Sequence, residues 1–225
     1  MPTKSFAASV LAGSMLVGAT GCDQKAQHQH APVVRNVGQA APASNARNVF
    51  DTLSQYQFVG QDGQPVNMAA LRTSLQNNPS TLTFGFAECQ NYCPMINNVL
   101  GKLGKVSPGL TSIVVSANPE VDGLTPDSRA AFLQRIRNDG VAQNVVILYP
   151  TVNGGLSAPS VPNIAVATGA ITNSSRPLDH SAKIILSAPD GTRLAEKSGL
   201  SPASEFINEW TPLLNNGQVI PGPGR

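Results

Sequence analysis

In the stretch "TLTFGFAECQNYCPM", residues 81–95, an apolar run feeds a loop with two cysteines, and a proline follows the second. The run "TLTFGF" predicts a buried strand. Pro94 predicts the opening of a helix at its first position, where a missing N–H costs nothing because the first turn leaves that group unbonded anyway. Met95, Ile96, Val99, Leu100 and Leu103 then recur at helical spacing. Any fold for this chain has to place that strand–loop–helix unit.

The rest of the chain supplies its neighbours. "YQFVGQDGQPVNM" reads as a hairpin turning at Asp62–Gly63, and "TSIVVSA" as a second buried strand. Thr125 as cap and Pro126 in the first turn start the helix "DSRAAFLQRIRND", which Gly140 ends. "VVILYP" is a candidate strand, or the end of a helix–strand connection. "AKIILSAPDGTRLAEKSG" is a hairpin with Pro189-Asp190-Gly191 at its tip, and Ser201-Pro202 cap a last helix through Leu213. Strands alternating with helices predict an α/β chain: a thioredoxin-like sandwich over residues 49–215, with an added N-terminal hairpin and a C-terminal hairpin plus helix. Residues 23–48 have no apolar period and read as a flexible linker, and residues 216–225 as a disordered tail.

The first 22 residues carry a separate message. Lys4 is their only charge, an apolar small-residue run follows, and "ATGC" closes it at Cys22. This reads as an export signal, too short for a spanning helix. "ATGC" resembles a bacterial lipobox, with Ala19 where leucine is usual, which implies lipid on Cys22; an ordinary signal peptide or an uncleaved anchor are the alternatives. Asp23 resembles the residue that keeps many such lipoproteins at the inner membrane, so the expected location is that membrane's periplasmic face. Past Cys22 there remain 14 basic and 13 acidic residues with no basic block, which argues against a nucleic-acid partner.

If lipid occupies Cys22, Cys89 and Cys93 are the only free thiols in an oxidising compartment, and they must pair, bind something or be kept reduced. Cys93 is expected at the helix N-cap, where unpaired N–H groups and the helix dipole favour a thiolate. Three residues separate the thiols where exchange enzymes use two, and the wider loop suits holding something between the sulfurs. Two thiolates favour Cu(I), with zinc as competitor, and either metal wants a further ligand. His180, in "PLDHSAKIIL", precedes the second hairpin, at the sheet edge a thioredoxin-like topology shares with the cysteine loop. His28 and His30 form an accessory copper-gathering pair or have no role. Met95 is expected in the core by its helical spacing rather than as a thioether ligand.

"FGFAECQNYCP" and "DHSAKIILSAPDG" together resemble the Sco/SenC family of copper-handling proteins, and "SANPEVDGLTPDSRAAFL" is a weaker echo. The resemblance spans about residues 50–215. It implies a thioredoxin-like fold in which Cys89, Cys93 and His180 bind one copper ion, as Cu(I) or Cu(II). It also implies a membrane-tethered factor that delivers copper to, or reduces the cysteines of, a respiratory copper enzyme such as cytochrome c oxidase subunit II at its CuA site. Gln90 and Asn91 stand where the family's loop has proline and aspartate, and Asn118 where it has aspartate. Two other readings remain: a metal-independent thiol–disulfide oxidoreductase using Cys89 and Cys93, and a binding-only lipoprotein with a degenerate site. A pure dithiol exchanger has no need of His180, and a copper site does.

Overall fold

The computed structural model describes residues 48–75, 77–141, 144–170, 183–198 and 201–216. Cys22, His28, His30 and His180 lie outside these, as do the expected signal, the expected linker up to residue 47 and the expected tail past residue 216. Among the described residues no helix is long and apolar enough to cross a membrane.

Among the described residues seven strands make one mixed sheet. They are β1 (Gln57–Val59), β2 (Ser80–Gly85), β3 (Thr111–Ser116), β4 (Val145–Val152), β5 (Gly155–Leu156), β6 (Lys183–Ser187) and β7 (Arg193–Ser198). The order is β1-β4-β3-β2-β6-β7, with β5 on β4. The central β4, β3 and β2 run parallel, while β1, β5, β6 and β7 are antiparallel to their neighbours. The helices are α1 (Val49–Leu53), α2 (Met68–Ser74), α3 (Tyr92–Val106), α4 (Pro119–Asp122), α5 (Pro126–Asn138), α6 (Ser160–Ala167) and α7 (Ala203–Asn216).

The strand sequences explain the layering. β2 and β3 are buried along their whole length, as parallel strands covered on both faces must be. Their side chains alternate between two cores. Leu82, Phe84, Ile113 and Val115 meet Phe50 and Ile164 on one face, whereas Val114, Ile184 and Leu186 meet α3, α5 and α7 on the other. The chain's single tryptophan, Trp210 on α7, is buried edge-on against Phe206 with ring centroids 4.9 Å apart.

Most predicted elements form, with three differences. The turn at Asp62–Gly63 is present, Gly63 adopting φ 77°, but the return arm meets β1 only through an isolated bridge, Val59 to Pro65. Pro65 has no N–H to extend a ladder, and β1 takes β4 as its partner. α3 begins at Tyr92 with Asn91 as its cap, so Cys93 sits inside the first turn and Pro94 at the third position. Finally, "TVNGGL" forms the β4–β5 hairpin: Asn153 and Gly154 take φ 51° and 82°, as a two-residue turn between twisted strands requires.

Candidate functional site

The end of the sheet where β2 and β3 finish carries the cysteine loop. Cys89 and Cys93 form a disulfide with their Cα atoms 5.6 Å apart, both nearly buried, at 6% and 7% exposure. The loop curls through a turn in which the Cys89 N–H donates to Phe86 O at 3.2 Å. The Cys93 N–H donates to Cys89 Sγ at 3.1 Å. That sulfur does what a capping side chain normally does, satisfying an N–H the first helical turn leaves over; Asn91 makes no side-chain cap bond. Behind Cys93 the backbone of β2 comes close. A Cβ on Gly85 would stand 3.7 Å from Cys93 Sγ, and a void of about 10 Å³ separates the loop from Val114, Phe132 and Ile136.

A second loop, after β3, braces the first. Asp122, at the end of α4, is 2% exposed. It accepts a hydrogen bond from the Ala87 N–H at 3.2 Å and one from Ser116 Oγ at 2.8 Å. The Asn118 N–H donates in turn to Ser116 Oγ at 3.2 Å, and the Ala117 N–H to Gly85 O at 2.8 Å. Burial pushes the Asp122 carboxyl up from its ordinary value; the bonds from Ser116 and Ala87 pull it back, and the charge of Glu88 adds to the rise. Tyr149 of β4, fully buried, has its phenol pushed up by burial and by the charge of Asp122, against the pull of Arg129.

Of the predicted site residues, the structure brings Cys89 and Cys93 together. His180 lies outside the described residues, three positions before β6. That strand pairs antiparallel with β2, Leu82 opposite Ile185, and Thr83 Oγ1 donates to Lys183 O at 3.2 Å. β6 therefore begins beside the part of β2 that leads into the cysteine loop. Among the described residues no group of three or more histidine, cysteine, aspartate or glutamate side chains would hold a metal ion. Met95 is 46% exposed rather than core: α3 turns Ile96, Val99, Leu100 and Leu103 inward, and Met95 falls outside that stripe. Sequence reasoning missed Asp122. Nothing in "NPEVDG" marks an aspartate whose partners are a strand serine and the amide of a different loop.

The two sulfurs fit what a soft cation asks for, in a form set by redox state. As a disulfide they are bonded to one another; reduced, they are two thiols held a few residues apart by a strand end and a helix start.

A parallel three-stranded centre with flanking antiparallel strands, helices on both faces and a disulfide joining the loop after β2 to the first turn of α3 defines a thioredoxin-like fold. Residues 44–143 match the SCO1/SenC family model. Solved structures agree on the fold. A SCO1/SenC family lipoprotein from Bacillus anthracis str. Ames is 22% identical, covers 71% of this chain and 92% of its own, and superposes with a TM-score of 0.51. Arabidopsis thaliana ScoI, with copper bound, is 14% identical over 72% of this chain and 96% of its own, with a TM-score of 0.51. BsSco, a member of the Sco family of cytochrome c oxidase assembly proteins in which a disulfide switch was identified, is 21% identical over 72% and 91%, with a TM-score of 0.50. No curated protein sequence matches the chain.

Proposed function

We propose that this chain is a membrane-tethered copper-handling assembly factor. Cys89, Cys93 and His180 take one copper ion per chain when the disulfide is reduced. The chain then passes copper, or the reducing equivalents of the dithiol, to a respiratory copper enzyme such as cytochrome c oxidase subunit II. The observation that carries this reading is the pairing of the two sulfurs at the edge where β6 begins, beside the end of β2. This reading assigns the third ligand to His180, which stands three residues before β6 in the sequence. In the reduced form two thiolates supply soft donors and an imidazole completes a set suited to copper. Copper and disulfide exclude each other because both need the same sulfur lone pairs.

The test is Cu(I) titration of the full chain, in neutral detergent, against a chromophoric chelator. The reduced protein should bind one copper per chain and the oxidised protein none. Cys89→Ser and Cys93→Ser should abolish tight binding, and an unchanged affinity in either variant would place the site elsewhere. His180→Ala should weaken binding while the disulfide still forms.

The disulfide itself favours a second reading, a thiol–disulfide oxidoreductase that works without metal. In cells, normal assembly of the copper enzyme with His180→Ala but not with Cys89→Ser would select it. Tethering is part of the proposal: lipid on Cys22 would hold the chain on the periplasmic face of the inner membrane, where several acyl chains anchor stably and one does not. Cys22→Ser should release the protein or leave its precursor unprocessed, and a soluble, unmodified mature form of the wild type would refute the anchor.

A further inference from the structure

Among the described residues, the large apolar side chains left exposed are Tyr92, Met95, Val121, Leu124, Val152 and Val166. Four of the six stand on two segments beside the disulfide. Tyr92 and Met95 bracket Cys93 and Pro94 on the first turn of α3. Val121 and Leu124 bracket Asp122 and Gly123, and Asp122 is bonded to Ala87, two residues before Cys89. Leu124 is the most exposed, at 68%.

The same segments, residues 86–98 and 117–128, contain four charged residues, Glu88, Glu120, Asp122 and Asp127, all acidic. All but Asp122 are exposed. Arg129, the next cation along the chain, spends its donors on backbone carbonyls, Gln61 O at 3.1 Å and Gly123 O at 2.8 Å. On these two segments the disulfide thus has apolar and negative neighbours, and Arg135, which lines the void beside Cys93, is paired with Asp139 at 3.4 Å. Exposed apolar side chains gathered on one edge mark an interaction surface, and a rim of one sign selects a partner of the other.

We infer that this rim docks an extended polypeptide segment that carries two thiols, apolar side chains beside them, and lysine or arginine at its flanks. The inference rests on the proposed exchange at Cys89 and Cys93 and names the partner's chemistry. In the exchange, a partner thiolate bonds to one protein sulfur, the Cys89–Cys93 bond breaks, and the other sulfur leaves with the electron pair. The partner's second thiolate then displaces the first protein sulfur. The partner ends as a disulfide and the protein as a dithiol, two electrons having moved; the same steps run backwards when the protein is the reductant. With both sulfurs nearly buried, the rim is what a polypeptide meets on its way to them.

The test uses the oxidised full chain in neutral detergent and two dithiol peptides with the same apolar centre, one flanked by lysine and one by glutamate. Reduction of the protein is followed by mass after acid quench. The lysine peptide should react about tenfold faster at low salt, with the ratio falling toward one as salt screens the rim. Met95→Ser and Leu124→Ser should each slow the lysine peptide several-fold and leave the rate with dithiothreitol unchanged. Equal rates for the two peptides, no reaction with either, or variants that slow dithiothreitol as much as peptide would each overturn the inference. Copper titration separates it from the reading it rests on. A chain that binds no Cu(I) yet keeps the peptide preference loses only the copper proposal, and one that binds Cu(I) without preference loses only the rim.

Discussion

Two loops leave the same end of the sheet and are held in opposite ways. Residues 86–91, after β2, lead into the disulfide and are closed by it, by the Cys89 N–H to Phe86 O bond and by the Cys93 N–H to Cys89 Sγ bond. Residues 117–125, after β3, carry no thiol. They are held by the short helix α4, by the Gly123 N–H donating to Pro119 O at 2.8 Å, and by a buried carboxylate. A reducing agent opens the first clasp and has no purchase on the second. The difference teaches how a dithiol can change state without dissolving its surroundings: the reactive loop keeps its near end, at Ala87, fastened to a loop that is inert to redox.

The largest effect that would break this comparison is loss of the fastening. Asp122→Ala strands the Ala87 N–H and the Ser116 hydroxyl and should cost about 3 kcal/mol of stability, by the usual range for buried groups bonded to a carboxylate. Denaturant unfolding followed by Trp210 fluorescence measures it. A cost near zero would mean the second loop braces nothing. Reduction of the disulfide comes next. It closes a five-residue ring, so the chain-entropy account gives a loss of about 2 kcal/mol. Amide exchange should then speed up at Cys89 and Cys93 but stay slow at Ala87. Fast exchange at Ala87 after reduction would join the two loops into one unit. Ser116→Ala, which removes a single donor from Asp122, should cost about 1 kcal/mol.

The unevenness of these loops also explains what the sequence could and could not convey. β2, β3, β6, β7, α3, α5 and α7 announce themselves through local signals: continuous apolar runs, a capping box at Thr125 and Ser128, and turn residues at Gly140 and Gly191. α1 has five residues. Its cap, Asn48, is fixed by the far hairpin, its side-chain amide donating to Asp190 O at 2.7 Å, and the Val49 N–H bonds Gly191 O at 2.9 Å. No local window contains that pairing. α6, "SVPNIAVA", is apolar on most sides with a proline inside its first turn and no charged ends, so it lacks the marks of a surface helix. The Asn153–Gly154 turn was readable and marks the strand pair around it. At the site, the thiols are legible because cysteine is rare and chemically committed. Asp122 is not, because its burial and both its partners come from other elements.

The smallest effect is also the one that separates the loops most cleanly. Burial holds the Asp122 carboxyl above its ordinary value of 3.8, more than the bonds from Ser116 and Ala87 lower it. The folded protein therefore keeps this proton more tightly than the unfolded chain does. Between the ordinary value and the raised one, the folded state binds more protons, so stability falls as pH rises and then levels off above the raised value. Asp122→Asn removes the ionisation and, through its Oδ1, keeps one acceptor for Ala87 or Ser116. Its unfolding midpoint should lack the wild type's decline across that window, the difference between the two curves cancelling the other carboxylates. Cys89→Ser should keep the decline, because the slope belongs to the second loop and not to the thiols. A slope that vanished with the cysteine and survived in Asp122→Asn would reverse the assignment, making the reactive loop, not its brace, the source of the acid response.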